Sequence, residues 1–234
     1  MTHIRAVIVA DGEVDLDGLR AVLVPGTDET LLAIGADGGA RHLEAAGRLP
    51  DLVCGDADSL SDDDLRRLRD AGTAVELHPA DKDESDSELS IRAALERGAT
   101  RIVICGALGG SRVEHSIANQ LLLGAPWLDG VDAVILHAGS SIRRTGTADG
   151  PGTLVVRGAA TDYVSLLPLD DPVAGITTDG LRYPLRDEPL PLGSTRGLSN
   201  ELTAGQATVT TTRGRLLIVH TPSRDAADQK GAPR

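Results

Sequence analysis

Two aspartates one residue apart, Asp56 and Asp58, stand in the stretch Gly55-Asp56-Ala57-Asp58-Ser59, directly after a short apolar run. Carboxylates held this close repel each other unless a proton or a cation lies between them. The pair points to a metal site, although an N-cap or an Asx turn would use the same residues. A second acidic run, Asp81-Lys82-Asp83-Glu84-Ser85-Asp86, supplies more oxygen donors. Mg²⁺ takes hard oxygen ligands and keeps several waters, so a few carboxylates and substrate phosphates suffice to hold it. Read plainly, the same run is a solvated loop leading into a helix, where Asp86 suits the helix dipole. Asp37-Gly38-Gly39 is a third candidate. Asp37 can join the metal or only cap the next helix, and Gly38 and Gly39 can serve a nucleotide or only the turn. Gly109-Gly110-Ser111-Arg112 opens a further helix. Backbone N–H groups bared by glycines at a helix N-terminus bind phosphate oxygens, and an arginine adds a bidentate cation. His115 and Asn119, four residues apart, share one helical face with Arg112. That polar stripe either faces solvent or lines the site.

The elements that must position these residues are legible as well. Ile4–Ala10, Leu31–Ala36, Leu52–Cys54, Ala74–Leu77, Ile102–Cys105 and Val131–Leu136 are short, apolar and rich in β-branched residues, as buried parallel strands are. Between them lie helical patterns. Ser61 caps one that runs to about Arg69. Ser85 and Glu88 form a capping box for one that ends near Arg97. Val113, Ile117 and Leu121 give helical spacing to Val113–Leu123. This alternation predicts a doubly wound, mostly parallel α/β domain over residues 1–138. In such a sheet, ligands bind beyond the carboxyl ends of the strands. All four candidate loops follow a strand, so they face one crevice. After Gly139 helical periodicity stops. Closely spaced β-type runs, Ser141–Arg144, Thr153–Arg157, Tyr163–Leu167, Gly175–Thr178, Gln206–Thr212 and Leu216–His220, predict an all-β sandwich domain over residues 139–222. Residues 223–234 are polar, with Gly and Pro, and are expected to form a disordered tail.

Composition removes several function classes. The formal net charge of −12 opposes bulk binding to nucleic acid or an anionic membrane. The chain has no apolar run long enough to span a membrane and none that reads as a signal peptide, so a cytoplasmic enzyme is expected. The lysines Lys82 and Lys230 are not in a P-loop pattern, so any phosphate chemistry is of another kind. Cys54 and Cys105 each end an apolar run and read as small buried hydrophobes. With no Phe, the core must be built from Val, Leu, Ile and Ala.

Taken in order, these loops resemble the thiamine pyrophosphokinase family. VIVADGE resembles its opening strand and turn, ADGGA (36–40) its first acidic glycine loop, and PDLVCGDADS (50–59) its P-D-x-x-x-G-D-x-D-S stretch. DKDESD (81–86) is similar to a run ending in D-x-T-D, with Ser85 in place of Thr. GALGGSRVEHSIAN (106–119) resembles a G-G-R-x-D-H-x-x-x-N element. TTDGLRYPL (177–185) and GLSNE (197–201) resemble the thiamine-side signatures. Three departures stand out: Ser111 is inserted before Arg112, Glu114 replaces the usual Asp, and Arg41 replaces a common Asn.

The resemblance implies a nucleotide domain followed by a β-sandwich, a homodimer with thiamine at or near the subunit interface, and the reaction ATP + thiamine → AMP + thiamine diphosphate with Mg²⁺. It implies that Asp56, Asp58 and Asp83 or Asp86 hold Mg²⁺, with Asp37 among them or just behind. Arg112 and the Gly109-Gly110 backbone would neutralise phosphate charge. Gly38, Gly39, His115 and Asn119 fall on the nucleotide side. Tyr183 would stack on a thiamine ring, while Ser199 and Asn200 would hydrogen-bond its aminopyrimidine. The rival readings are a Mg-dependent phosphohydrolase, a thiamine- or nucleotide-sensing protein of the same fold without catalysis, and a kinase of the same architecture acting on another alcohol.

Overall fold

The computed structural model describes residues 3–56 and 59–223. The chain forms two compact units, one of residues 1–122 and 130–138, the other of residues 123–129 and those from 139 onward.

The first unit carries six strands: β1 (His3–Val9), β2 (Glu29–Ala36), β3 (Leu52–Gly55), β4 (Ala74–Leu77), β5 (Ala99–Cys105) and β6 (Asp132–His137). They are all parallel, in the order β6-β5-β1-β2-β3-β4. Five helices connect them: α1 (Leu16–Val22), α2 (Gly39–Ala45), α3 (Asp62–Asp70), α4 (Asp86–Glu96) and α5 (Val113–Leu122). The central strands are apolar on both faces because helices cover both. Val7, Val9, Val103 and Cys105 pack with Leu19 of α1 and Leu43 of α2. Val53 packs with Leu65 and Leu68 of α3. Side chains of opposite parity, such as Ala6 and Ile8, point to the other face, where α4 lies on the sheet through the buried Ile91 and Ala94. None of the described helices is long and apolar enough to cross a membrane.

The second unit is antiparallel throughout. Its strands are β7 (Ser140–Thr145), β8 (Gly152–Arg157), β9 (Tyr163–Pro168), β10 (Val173–Asp179), β11 (Glu188–Leu190), β12 (Asn200–Glu201), β13 (Gln206–Thr211) and β14 (Leu216–Thr221). One layer runs β12-β9-β14-β7 and the other β11-β10-β13-β8. Alternate residues from both layers, among them Val164, Leu166, Ile176, Val209 and Ile218, meet in one core. The fold class is therefore a parallel α/β domain followed by an antiparallel β-sandwich. Residues 123–129 lie before the second half in sequence yet group with this unit. Arg215, just before β14, donates to the Gly124 carbonyl at 2.6 Å, and Arg144 of β7 donates to the Leu128 carbonyl at 3.2 Å.

One local expectation needs correcting. Ser85 caps α4 by accepting the Glu88 N–H at 3.2 Å, but the Glu88 carboxylate turns away to Arg92, one helical turn on, so the box is half made. The complete capping box lies at α3, where Ser61 and Asp64 satisfy each other's backbone. On α5 the apolar stripe faces outward: Val113, Ile117 and Leu121 are 68%, 54% and 55% exposed, while Asn119 is the helix's buried residue.

Candidate active site

The site is assembled where β2 and β3 end and α4 begins. Asp37 follows β2 with a left-handed backbone (φ 48°), and its N–H donates to the Cys54 carbonyl at 3.0 Å, locking the turn onto β3. Its carboxylate accepts from the Ser59 hydroxyl. Asp56 follows β3 directly. Asp86 is the first residue of α4, aimed by the Ser85 cap. Carboxylate oxygens of Asp37, Asp56 and Asp86 lie within 4.8 Å of one another.

Three carboxylates at that spacing repel strongly unless a cation joins them. Lys82 supplies one: its Nζ lies 2.7 Å from Asp86 Oδ1 and 3.8 Å from Asp56 Oδ2, with only 12% of the side chain exposed. Burial works against the lysine's charge, but Asp86, Asp56 and Asp37 outweigh it and hold its pKa above the ordinary value. One ammonium leaves the group net negative. The site therefore suits a further cation bound by oxygen donors.

Gly55 makes this convergence possible. Its φ is 150°, and a Cβ there would lie 3.1 Å from the Asp86 carboxylate and 3.3 Å from Asp37 Cβ. Gly39 is equally constrained, since a Cβ would sit 1.8 Å from the Val9 carbonyl oxygen where α2 presses on β1. Beside Gly38 stands the carboxylate of Asp11, to which the sequence reading gave no role. The available signal was its position, immediately beyond the first strand. Lys82 was also missed as a member of the site, because only the fold shows which carboxylates it reaches.

On the other side of β1 the glycine loop is joined to the β1 turn. Ala10, Gly12 and Glu13 donate to the carbonyls of Cys105, Gly106 and Leu108, each at 2.9 Å. This is the point where the sheet's strand order reverses, the usual place for a ligand crevice in such folds. Gly109 and Gly110 both have left-handed backbones here. Asn119 points inward and donates to the Ala107 carbonyl at 2.8 Å, so it braces the loop from within the helix. Arg112 and His115 are exposed, and Arg112 pairs with Glu114 at 2.7 Å on the surface. Asp81 and Asp83 are exposed and are not among the three converging carboxylates. Asp58 lies outside the described residues.

The second unit has a cleft of its own, of about 400 Å³, bordered by Leu166, Tyr183, Arg196 and Asn200. The Tyr183 ring is 58% exposed, with the Arg182 guanidinium 5.4 Å from its centroid. Asn200 is buried, and its amide is committed to the chain: it donates to the Tyr183 carbonyl at 2.7 Å and accepts the Tyr183 N–H at 3.0 Å. It therefore fixes where Tyr183 stands. Ser199 is exposed with φ 56°, its N–H donating to Ser165 Oγ.

Residues 27–134 match the thiamin pyrophosphokinase catalytic domain, and residues 153–216 match the thiamin pyrophosphokinase vitamin B1 binding domain. A thiamine pyrophosphokinase of Bacillus subtilis (strain 168) is 31% identical over 194 residues, which is 82% of this chain and 88% of the relative. The chain belongs to the thiamine pyrophosphokinase family. Solved structures agree with that membership. The thiamine pyrophosphokinase of Bacillus subtilis superposes with a TM-score of 0.78 at 30% identity, covering 94% of this chain and 99% of that one. The thiamin pyrophosphokinase of Geobacillus thermodenitrificans gives 0.77 at 31% identity, covering 94% and 98%. The acidic site lies within the stretch matched to the family's catalytic domain, and the cleft beside Tyr183 within the stretch matched to its vitamin B1 binding domain.

Proposed function

We propose that the acidic site of the first unit holds Mg²⁺ and the phosphates of ATP, and that the cleft beside Tyr183 takes thiamine. The reaction is transfer of pyrophosphate from ATP to the thiamine hydroxyl, giving thiamine diphosphate and AMP. The observation that carries the assignment is the convergence of Asp37, Asp56 and Asp86 around one ammonium beyond the carboxyl ends of parallel strands. The donor set fits Mg²⁺: hard carboxylate oxygens, net negative, with room left for phosphate. Asp37, Asp56 and Asp86 would hold it, with Asp58 the next carboxylate in sequence. Held by these residues, Mg²⁺ would supply neutralisation of phosphate charge.

The chain's own groups do the rest by position and charge, as phosphoryl-type transfers require. The Gly109-Gly110 turn offers backbone N–H groups to the phosphates. Arg112 exchanges its surface partner Glu114 for a phosphate oxygen, a change with a small penalty because exposed ion pairs contribute little. Tyr183 stacks on the cationic thiazolium or the pyrimidine ring, and Asn200 keeps it in place. A homodimer accounts for the exposed Val113, Ile117 and Leu121 stripe, which a second copy would cover. A cytoplasmic location fits this pair of substrates.

The test is a product assay with the purified protein, ATP, Mg²⁺ and thiamine, resolving AMP, ADP and thiamine diphosphate. AMP and thiamine diphosphate should form together, depend on thiamine and vanish in Asp56→Asn. Phosphate release without thiamine would make the protein a hydrolase, and thiamine binding without turnover would make it a sensor.

A further inference from the structure

A second set of metal-binding atoms lies on the face of the sheet that carries α4. Cys54 of β3 and Glu76 of β4 are direct partners across the parallel pair. The His78 N–H donates to the Gly55 carbonyl at 2.9 Å, which extends the pairing past β4. His78 follows Glu76 by two residues, so strand periodicity puts all three side chains on one face. One donor atom from each lies within 4.8 Å of the others, and Cys54 Sγ is 3.8 Å from His78 Nε2. Tetrahedral zinc, with Zn–S near 2.3 Å and Zn–N near 2.1 Å, needs a sulfur-to-nitrogen edge of about 3.6 Å. The pair is already close to that spacing.

The surroundings are those of a ligand set. Ser90 of α4 is completely buried and its hydroxyl makes no hydrogen bond within the usual limits. It lies beside Cys54, where an outer donor to a metal-bound sulfur would stand. Arg97, at the end of α4, donates to one Glu76 oxygen and orients the carboxylate. Thiolate, imidazole and carboxylate together select zinc over magnesium, whereas the neighbouring aspartates select the reverse.

We propose that Cys54, Glu76 and His78 bind a zinc-class divalent cation that ties the edge strand β4 to β3. The cation takes a lone pair from sulfur, nitrogen and oxygen, and the thiol proton leaves to solvent. Three protein ligands leave a fourth position for water.

The experiment titrates the metal-stripped full chain with Co²⁺ in excess Mg²⁺ and follows the thiolate-to-cobalt charge-transfer absorption, then repeats the titration with Zn²⁺ in competition. One equivalent should bind with that absorption. Cys54→Ala and His78→Ala should each weaken binding by at least ~100-fold, and Ser90→Ala by about tenfold. Asp56→Asn should leave the signal intact, which separates this site from the Mg²⁺ site. Circular dichroism checks folding. If Cys54→Ala fails to fold, His78→Gln carries the test, because that side chain is partly exposed. Absence of thiolate absorption in the unaltered chain, full binding in the folded His78 variant, or loss of the signal in Asp56→Asn would overturn the proposal.

Discussion

The ammonium of Lys82 lies 2.7 Å from the carboxylate of Asp86, four residues further along the chain, at the point where Asp37 and Asp56 also arrive. The lysine is an internal counter-ion for a site whose other members all carry negative charge. It offsets part of the repulsion among them.

Replacing a converging carboxylate should remove catalysis while keeping the fold. Asp56→Asn and Asp86→Asn should each lower the rate of AMP formation at least ~10²-fold, the scale of losing one preorganised electrostatic group. Steady-state assays with circular dichroism on the same samples check this.

Lys82→Met should make the protein depend on Mg²⁺ for stability. Thermal melts in chelator should show a lower Tm than the unaltered chain, and saturating Mg²⁺ should recover most of the difference, because the metal replaces the missing positive charge. An equal loss with and without Mg²⁺ would show that Lys82 acts only by packing.

Gly55→Ala tests the geometry from the backbone side. The new methyl would press on Asp86 and Asp37 at a φ of 150°. A stability loss of about 1–3 kcal/mol is expected from the strained conformation, together with an activity loss out of proportion to it. Urea denaturation and the product assay, run in parallel, separate the two.

In the second unit, Tyr183→Ala should raise the KM for thiamine about tenfold and leave the KM for ATP unchanged, since the ring borders that cleft. Asn200→Ala should shift the thiamine KM in the same direction and also destabilise the protein by about 1–3 kcal/mol, because it strands the Tyr183 backbone groups.

Acid should weaken the second unit through Asp162. Burial alone would raise its pKa. The N–H groups of Ser223 and Ala159, and His220 at 2.9 Å, more than reverse this and hold it below the ordinary aspartate value. A carboxylate depressed in the native state contributes stability that is complete above its unfolded pKa, near 4, and is lost as pH falls through the lower native value. The urea midpoint should therefore drop on acidification below about pH 4. In Asp162→Asn it should start lower and fall less over the same range.

Much of this was legible in the sequence for identifiable reasons. The β-branched apolar runs mark the central parallel strands because both of their faces are buried. The shortest strands escaped: β12 has two residues and β11 three, one of them Pro189, so no period-2 pattern can develop. Helix α1 is only seven residues long and carries Gly18, so its Leu16, Leu19 and Val22 spacing is too short to stand out as a helical period. Asp86 was legible as a carboxylate near the site, but the choice between it and Asp83 needed the start of α4, which turns one inward and leaves the other in solvent. Spacing alone put Arg112, His115 and Asn119 on one face without saying which is buried. The Ala107 carbonyl decides this by taking Asn119.

The interleaving of the two units has a consequence for dissection. Residues 123–129 serve the second unit, yet 130–138 return to complete β6 of the first. No single scission yields both pieces whole. A fragment ending at 138 carries away the partner of Arg215, and one ending at 122 lacks a strand of its own sheet. During synthesis, the strap for the later unit emerges before the earlier unit is finished.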